Sequence, residues 1–472
     1  MGGTWKTQNK RRPGAYINTI GAAQPKQDTS LGRTMLIGNT QLNWGAKGII
    51  ELDSNSDFKA LLGAPLSTPE FGALRETLKG ALTVLLLNNN DGTKSEVTDE
   101  ALPWKFTAKY PGTKGNQLHV SVVKDPNDLT RITVSTIYGT EVVDQQVIRT
   151  TTAQGLVSND YIDVEYLSDA TEPVATVEST DDGAEFKAAP GQNKLETLSA
   201  STTYDLVGGT TEPVEVTDLM NDVLETEQFN VVTAAGFAPD NNIHQLLAQS
   251  VQRLRDDEGY KVRAVVPVYE GGYEYDYEGV SVVSNGVILE DGTQIDTTTA
   301  TGYFAGISSA TDSSKSLTYS EYPGAISTYP SLNNEQTIKA LNSGWIVFTA
   351  KRGGRVVIEQ DINSLTSFSD DKPKSFSKNR VIRTLDDIAT DFESVFENTF
   401  IGKINNDETG RDLFKANRLS YMQGLVNGGI IASFTNDDLT VEPGVDSDSI
   451  IATVAVTPID SMEKLYMTIV VQ

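Results

Sequence analysis

The chain has 472 residues, with 64 Asp+Glu against 38 Lys+Arg, two His, no Cys and a formal net charge of −26. That balance excludes a general binder of nucleic acid or anionic membrane, which needs clustered Lys/Arg, and the lack of cysteine removes disulfides, thiolate zinc sites, iron–sulfur clusters and Cys nucleophiles together. His119 and His244 leave little room for a His-rich metal site or a Ser-His-Asp triad.

The length leaves space for about three domains. The start, Met1-Gly2-Gly3-Thr4-Trp5, has no apolar h-region and no run approaches 18 apolar residues, so neither a signal peptide nor a membrane span is expected. Residues 1–92 are net positive (+3), against −8 for 93–202, −13 for 203–352 and −8 for 353–472. Lys6, Lys10, Arg11 and Arg12 place four cations and no acid in the first twelve residues. Such a basic arm can pair with the acidic surface of a neighbouring copy or stay a solvated tail.

Leu31–Gly38 reads as a strand. Thr68-Pro69-Glu70 opens a helix, with Thr at N-cap and Pro at N1; Phe71, Leu74, Leu78 and Leu82 keep the helical period, Gly80 ends it, and Leu82–Leu87 follows as an apolar strand. The order recurs. Leu246, Leu247, Val251 and Leu254 mark a helix over 242–257, Gly259 punctuates, and 261–268 is β-branched. A third helix over 333–342 is broken by Gly344 before the strand Trp345–Phe348. Helix, glycine, buried strand, three times over, predicts an α/β core with a largely parallel sheet.

Between the first two units, from Asp91-Gly92 to about Ser201, short alternating stretches such as Leu118–Val123 and Arg131–Ile137 replace helical patterning. This predicts a β-rich domain over 93–202, inserted into a discontinuous α/β core (21–92 and 203–352) that resumes near Tyr204. His119 reads as a β-surface side chain and His244 as a structural residue in the first turn of a helix. An α+β region follows over 353–472. Thr384-Leu-Asp-Asp387 has the spacing of a capping box with Asp in place of Glu, opening a helix with Ile388, Phe392, Val395 and Phe396 on one face. Thr409-Gly-Arg-Asp412 caps a second helix, whose Arg411, Lys415 and Arg418 fall at i, i+4 and i+7, a basic stripe or a solvated face. Ile450–Val456 and Met467–Val471 both read as strands, and the second must find a partner or remain an exposed edge.

No phosphate-binding loop, Gly-x-Gly-x-x-Gly, nucleophile elbow or His-Glu-x-x-His is present. Asp53-Ser-Asn55-Ser-Asp57 imitates a calcium loop, but Phe58 stands where Gly is needed and Ala64 where the bidentate Glu belongs. Ser461-Met-Glu-Lys464 has Ser-x-x-Lys spacing without its partner motifs. No catalytic, metal or cofactor residue is expected, and the chain is not expected to be an enzyme.

Several segments, in order, resemble the sheath subunit of contractile phage tails and phage-derived contractile bacteriocins. They are Lys10-Arg11-Arg12-Pro13-Gly14-Ala-Tyr16-Ile17, Phe229-Asn-Val-Val232 with Val251–Gly259, and Leu341–Phe348 leading through Arg352-Gly-Gly to Ile358-Glu-Gln-Asp-Ile-Asn363-Ser-Leu365-Thr366. Lys378-Asn-Arg-Val-Ile-Arg383, Asp387-Ile and Val456–Tyr466 complete the set. The resemblance implies a non-catalytic subunit that polymerises as a helical tube around a tail tube and contracts from a metastable extended state to drive the tube through a target envelope. The β-rich insert would be an outer domain, and 353–472 an inner one. It implies linking arms at both ends (Lys10, Arg11, Arg12, Pro13, Gly14 and Tyr16; Leu465, Tyr466, Met467, Ile469 and Val471) and makes Lys403, Arg411, Lys415 and Arg418 candidates for tube contact. Its implied partners are further copies of itself, the tail tube protein, and baseplate and tail terminator proteins, with no nucleic acid and no membrane insertion. The implied place is the tail of a virion or bacteriocin particle, assembled in the host bacterial cytoplasm. Against it stand a surface-layer or adhesin-like protein, which leaves the α/β repeats and the basic arm unexplained, and a secreted hydrolase, which lacks a nucleophile motif.

Overall fold

The computed structural model describes residues 31–168 and 193–471 and, between them, the backbone of the strands Val174–Thr180 and Gly183–Ala189. The amino-terminal segment carrying Lys10, Arg11, Arg12, Pro13, Gly14 and Tyr16 lies outside the described residues.

A seven-stranded sheet organises the described residues: β1 (Arg33–Ile37), β2 (Gly48–Leu52), β3 (Thr83–Asn88), β4 (Val231–Thr233), β5 (Arg263–Pro267), β6 (Val280–Val283) and β7 (Trp345–Ile346). Their spatial order is β7-β6-β5-β4-β1-β3-β2, parallel throughout except where β2 meets β3. Parallel strands must be covered on both faces. Alternate residues do this here: Met35, Ile37, Val232, Ala264 and Val266 pack under the helices Val216–Thr226 and Ile243–Asp256. On the other side Leu36, Val84 and Leu86 meet the helix Gly72–Leu78, and Val231, Val265 and Val283 meet the helix Thr297–Ala310. The three helix–glycine–strand units form as the pattern predicts. Asn333 closes a capping box on Gln336, and Gly344 (φ 73°) turns the chain into β7.

The helix Thr297–Ala310 carries no sequence signal strong enough to predict it. It is a Thr-, Ala-, Gly- and Ser-rich segment of modest helix propensity, buried nearly all round, so it shows no amphipathic period. Tertiary packing holds it. A Cβ at Gly306 would lie 2.2 Å from the Thr77 carbonyl oxygen, and one at Gly302 2.5 Å from Thr77 Oγ1, so this crossing with helix Gly72–Leu78 admits only glycine.

The insert is a β-sandwich. A four-stranded sheet (201–205, 118–124, 131–138 and 141–149 in spatial order) faces a three-stranded one (96–98, 104–108, 162–166) over Trp104, Phe106, Val120, Val122 and Ile132. One helical turn, Lys194–Thr197, interrupts its β-character. The expected return to the core near Tyr204 falls inside the last sandwich strand: Ser201–Asp205 pairs with 119–123, and the bridges Glu96↔Val207 and Asn90↔Pro213 place the exit about ten residues later. Trp44 of the core enters the sandwich interior and donates to the Ala60 carbonyl at 2.7 Å.

The boundary expected at Gly353 is likewise displaced. Gly353 lies in the turn of a hairpin (Phe348–Lys351, Arg355–Ile358), and Val356, Ile358 and Ile362 remain in the central core. The helix expected to open at Thr384 begins at Asn379 and runs to Val395. Thr384 is buried within it, and its hydroxyl bonds the Arg380 carbonyl at 3.1 Å instead of capping. A π-turn (Phe396–Phe400), the helix Glu408–Asn427 and the hairpin Leu439–Pro443/Ile450–Val454 complete this part around Ile388, Met422, Ile431, Phe434 and Leu439. Met467–Val471, expected as a strand, forms no regular element and has no backbone pairing partner among the described residues.

Candidate assembly surface

The segment Ile358–Thr366 and the first turns of helix Asn379–Val395 form a buried polar junction beneath the sheet. Asp361 and Arg383 are both essentially inaccessible, with Arg383 Nη2 2.6 Å from Asp361 Oδ2. Asn379 Nδ2 donates to Asp361 Oδ1 (3.0 Å), and the Leu317 amide to Oδ2 (3.0 Å). Burial pushes the Asp361 carboxyl up, but the Arg383 charge and these hydrogen bonds outweigh it and hold the carboxyl below its ordinary value. One turn on, Asp386 receives Arg255 of helix Ile243–Asp256 in a two-pronged bond (2.7 and 2.9 Å). Asn363 donates to the Phe376 carbonyl, Ser364 to the Tyr277 carbonyl, and Thr366 to Asp276. These side chains bind the helix, the loop before it, helix Ile243–Asp256 and the segment between strands β5 and β6 into one body. Sequence reading marked both segments by resemblance and missed this reason for them.

The chain leaves that body through the tail. Ile459 N donates to the Ile430 carbonyl and Ala432 N to the Thr457 carbonyl, both at 2.9 Å, flanking an antiparallel bridge Ile431↔Pro458. Beyond Lys464 the chain lies on the surface. Leu465, Tyr466, Met467, Ile469, Val470 and Val471 are 69–91% exposed, an apolar stretch folded against nothing in its own chain among the described residues. Paired as a strand, this stretch would place Leu465, Met467, Ile469 and Val471 on one side, since strand side chains alternate.

The four cations read as a tube contact separate into two groups. Lys403 is exposed and bonds the Asn398 carbonyl. Arg411 donates to Asn406 Oδ1 at 3.1 Å and lines a groove of about 600 Å³ with Phe396, Phe400 and Phe414. Lys415 is half-buried and has no ion-pair partner among the described residues. Arg418 departs from the expectation: its side chain is 4% exposed, ion-paired to Asp391 and stacked 5.1 Å from Phe392 and 5.3 Å from Tyr421. The spacing that aligned it with Arg411 also aligns it with Phe414 and Met422, four residues either side on the buried face. Those two neighbours were the available signal.

His119 Nδ1 lies 2.7 Å from Asp205 Oδ1 in the sandwich. His244 is buried against the Ala238 carbonyl, and that burial lowers its pKa. Asp53 and Asp57, the false calcium loop, accept backbone N–H groups of Asn55 and Ala60. Among the described residues no group of His, Asp and Glu is arranged to hold a metal, and no helix is long and apolar enough to cross a membrane.

Three consecutive parts of the chain match the phage tail sheath protein beta-sandwich domain (88–211), the phage tail sheath protein central domain (210–364) and the phage tail sheath C-terminal domain (371–472). The chain is 32% identical over 481 residues to the phage-like element PBSX protein XkdK of Bacillus subtilis, covering 99% of each. It belongs to the phage tail sheath protein family. The sheath tail protein of Desulfitobacterium hafniense shares its structure at a TM-score of 0.71 and 31% identity, over 96% of this chain and 99% of that one. The anti-feeding prophage helical sheath in its contracted state shares the fold at 11% identity (TM-score 0.52, covering 98% of this chain and 99% of that one). The chain is therefore a tail sheath structural protein and not an enzyme, and the hydrolase reading falls.

Proposed function

We propose that this sheath protein polymerises as a helical tube around a tail tube and contracts from a metastable extended lattice, driving the tube through the target cell envelope. The observation that carries the reading is the apolar arm 464–471 at the end of a body welded by buried charge. An exposed apolar segment of this kind becomes a strand on a second copy: β-addition supplies main-chain hydrogen bonds that persist while subunits rotate. Burying Leu465, Ile469 and Val471 on a neighbour would contribute roughly 1.5–3 kcal/mol each. The two-stranded hairpin Leu439–Val454, with Ile451 half exposed, offers edges of the kind such a strand extends. Head-to-tail linkage of this kind generates an open helix, and release of energy stored in the lattice needs no nucleotide site.

In this reading residues 1–20 form the second arm, with Lys10, Arg11 and Arg12 meeting acidic surface on a neighbour. The sandwich lies outermost. Lys403, Arg411 and Lys415, without Arg418, face the tube. Baseplate and terminator proteins bound the two ends of the sheath, which is built in the host bacterial cytoplasm and carried on a phage tail or prophage-derived particle. Negative-stain microscopy of the purified chain tests the central claim. Sheath-like tubes are expected from the full chain, and folded monomers from one lacking 464–472; tubes from the shortened chain would overturn the arm assignment.

A further inference from the structure

The arm is free only from Lys464 onward, and one carboxylate marks where that freedom begins. The Glu463 side chain is 10% exposed, although the residues on either side of it are open to solvent. Its Oε1 accepts the Thr318 hydroxyl at 2.9 Å, and its Oε2 pairs with Lys378 and accepts Gln360 Nε2 at 3.4 Å. These partners sit on three elements: the segment after helix Thr297–Ala310, the segment after strand Arg355–Ile358, and the residue preceding helix Asn379–Val395. The Thr318 hydroxyl also accepts the Asp361 amide at 3.0 Å, so two hydrogen bonds in series, both made by that hydroxyl, link Glu463 to the buried Asp361–Arg383 pair.

We propose that Glu463 is a positioning residue of assembly: with Lys378, Thr318 and Gln360 it forms a clasp that fixes where the carboxy-terminal arm leaves the subunit and anchors the arm to the rigid junction. The proposal rests on the reading of 464–471 as an inter-subunit linker. Without the clasp, the last backbone bond to the body is that of Ile459, and the free segment lengthens from eight residues to twelve. Effective concentration falls roughly as the −3/2 power of tether length, so this change alone weakens capture by a neighbour about twofold, before the loss of direction is counted. The clasp also gives the arm a mechanical root. Tension from a neighbour passes through Thr318 and Lys378 into the junction instead of peeling Pro458 from Ile431.

The test uses the full chain with Glu463→Gln, Lys378→Met and the charge-conserving Lys378→Arg. Lys378 contributes no side-chain cap to its helix, so its substitution leaves the helix start intact. Amide hydrogen exchange over 457–463 is measured in unassembled protein, and the critical concentration for tube formation in the same preparations. Glu463→Gln and Lys378→Met are expected to speed exchange there about tenfold at unchanged Tm and to raise the critical concentration at least about twofold; Lys378→Arg stays near wild type in both. Unchanged exchange in Glu463→Gln and Lys378→Met overturns the clasp, and so does faster exchange with an unaltered critical concentration. The linker reading is tested separately by removing 464–472: tubes that survive that deletion refute the linker, whereas the exchange data judge the clasp.

Discussion

The junction around Asp361 and the arm beyond Glu463 invert the usual sorting of residue types. At the junction, charge is buried and matched: Arg383 with Asp361, Arg255 with Asp386. Along the arm, leucine, isoleucine and valine stand in water. Buried ion pairs add little net stability compared with apolar packing, but they hold one geometry, because any displacement leaves an uncompensated charge. Exposed apolar strands add nothing to their own subunit and acquire value on contact with another chain. In the proposed reading the contrast separates two tasks in one polypeptide, keeping the body rigid and joining bodies together.

The sharpest way to break that contrast is at Asp361. Replacing it with Asn leaves Arg383 buried without its counter-charge, and urea denaturation should show a loss of about 3–5 kcal/mol. The pH dependence gives an independent check. Because the folded-state pKa of Asp361 is depressed, its contribution is complete above the unfolded carboxylate value of about 3.9 and is lost as pH falls through that value toward the folded one. Wild type should therefore lose stability below about pH 4 more steeply than Asp361→Asn. Equal acid slopes would show that Asp361 does not carry this linkage.

Arg418 provides a smaller effect in the same direction. Its partner Asp391 is 24% exposed, so the stranded carboxylate can recover water. Arg418→Gln should cost about 2 kcal/mol, the price of a charge-assisted hydrogen bond and the cation–π contacts with Phe392 and Tyr421. A thermal shift indistinguishable from wild type would return Arg418 to the exposed stripe.

These residues also show what a sequence reveals and what it conceals. The parallel core was legible because each unit carries its own punctuation: Thr68-Pro69 at one helix start, Asn333 at another, Gly344 at a stop. The sandwich was legible from its alternation. Helix Thr297–Ala310 was not, because burial on all sides erases the period that betrays a helix. The Asn379 helix start was hidden because Thr384 had capping-box spacing, while the true start lacks a side-chain cap. The clasp was invisible for a different reason: Glu463 meets partners 145, 103 and 85 residues away, and no local pattern records such pairings. Of the candidate site residues, the carboxy-terminal ones stand out in the sequence as an apolar run with no turn to return it, and the structure leaves that run exposed. Arg418 could not be separated from its neighbours without knowing which side of helix Glu408–Asn427 faces the core.

The smallest effects on the isolated subunit belong to the surface, and they sharpen the contrast most. Leu465→Asp with Ile469→Asp should leave stability within about 0.5 kcal/mol of wild type, since both side chains already stand in water. Tube formation should nevertheless be lost, because each charge would have to be desolvated against a neighbour. Lys415→Glu is expected to be equally silent in denaturation, its ammonium having no ion-pair partner among the described residues to lose. Its effect should fall on binding to the tail tube, measured by co-sedimentation, and should weaken as salt is raised, because rim charges are screened over about 10 Å at 0.1 M. Self-polymerisation should be spared. A variant that lost self-polymerisation while keeping tube binding would assign this side of the helix to contacts between copies, and the arm would then share the work of joining them with the body.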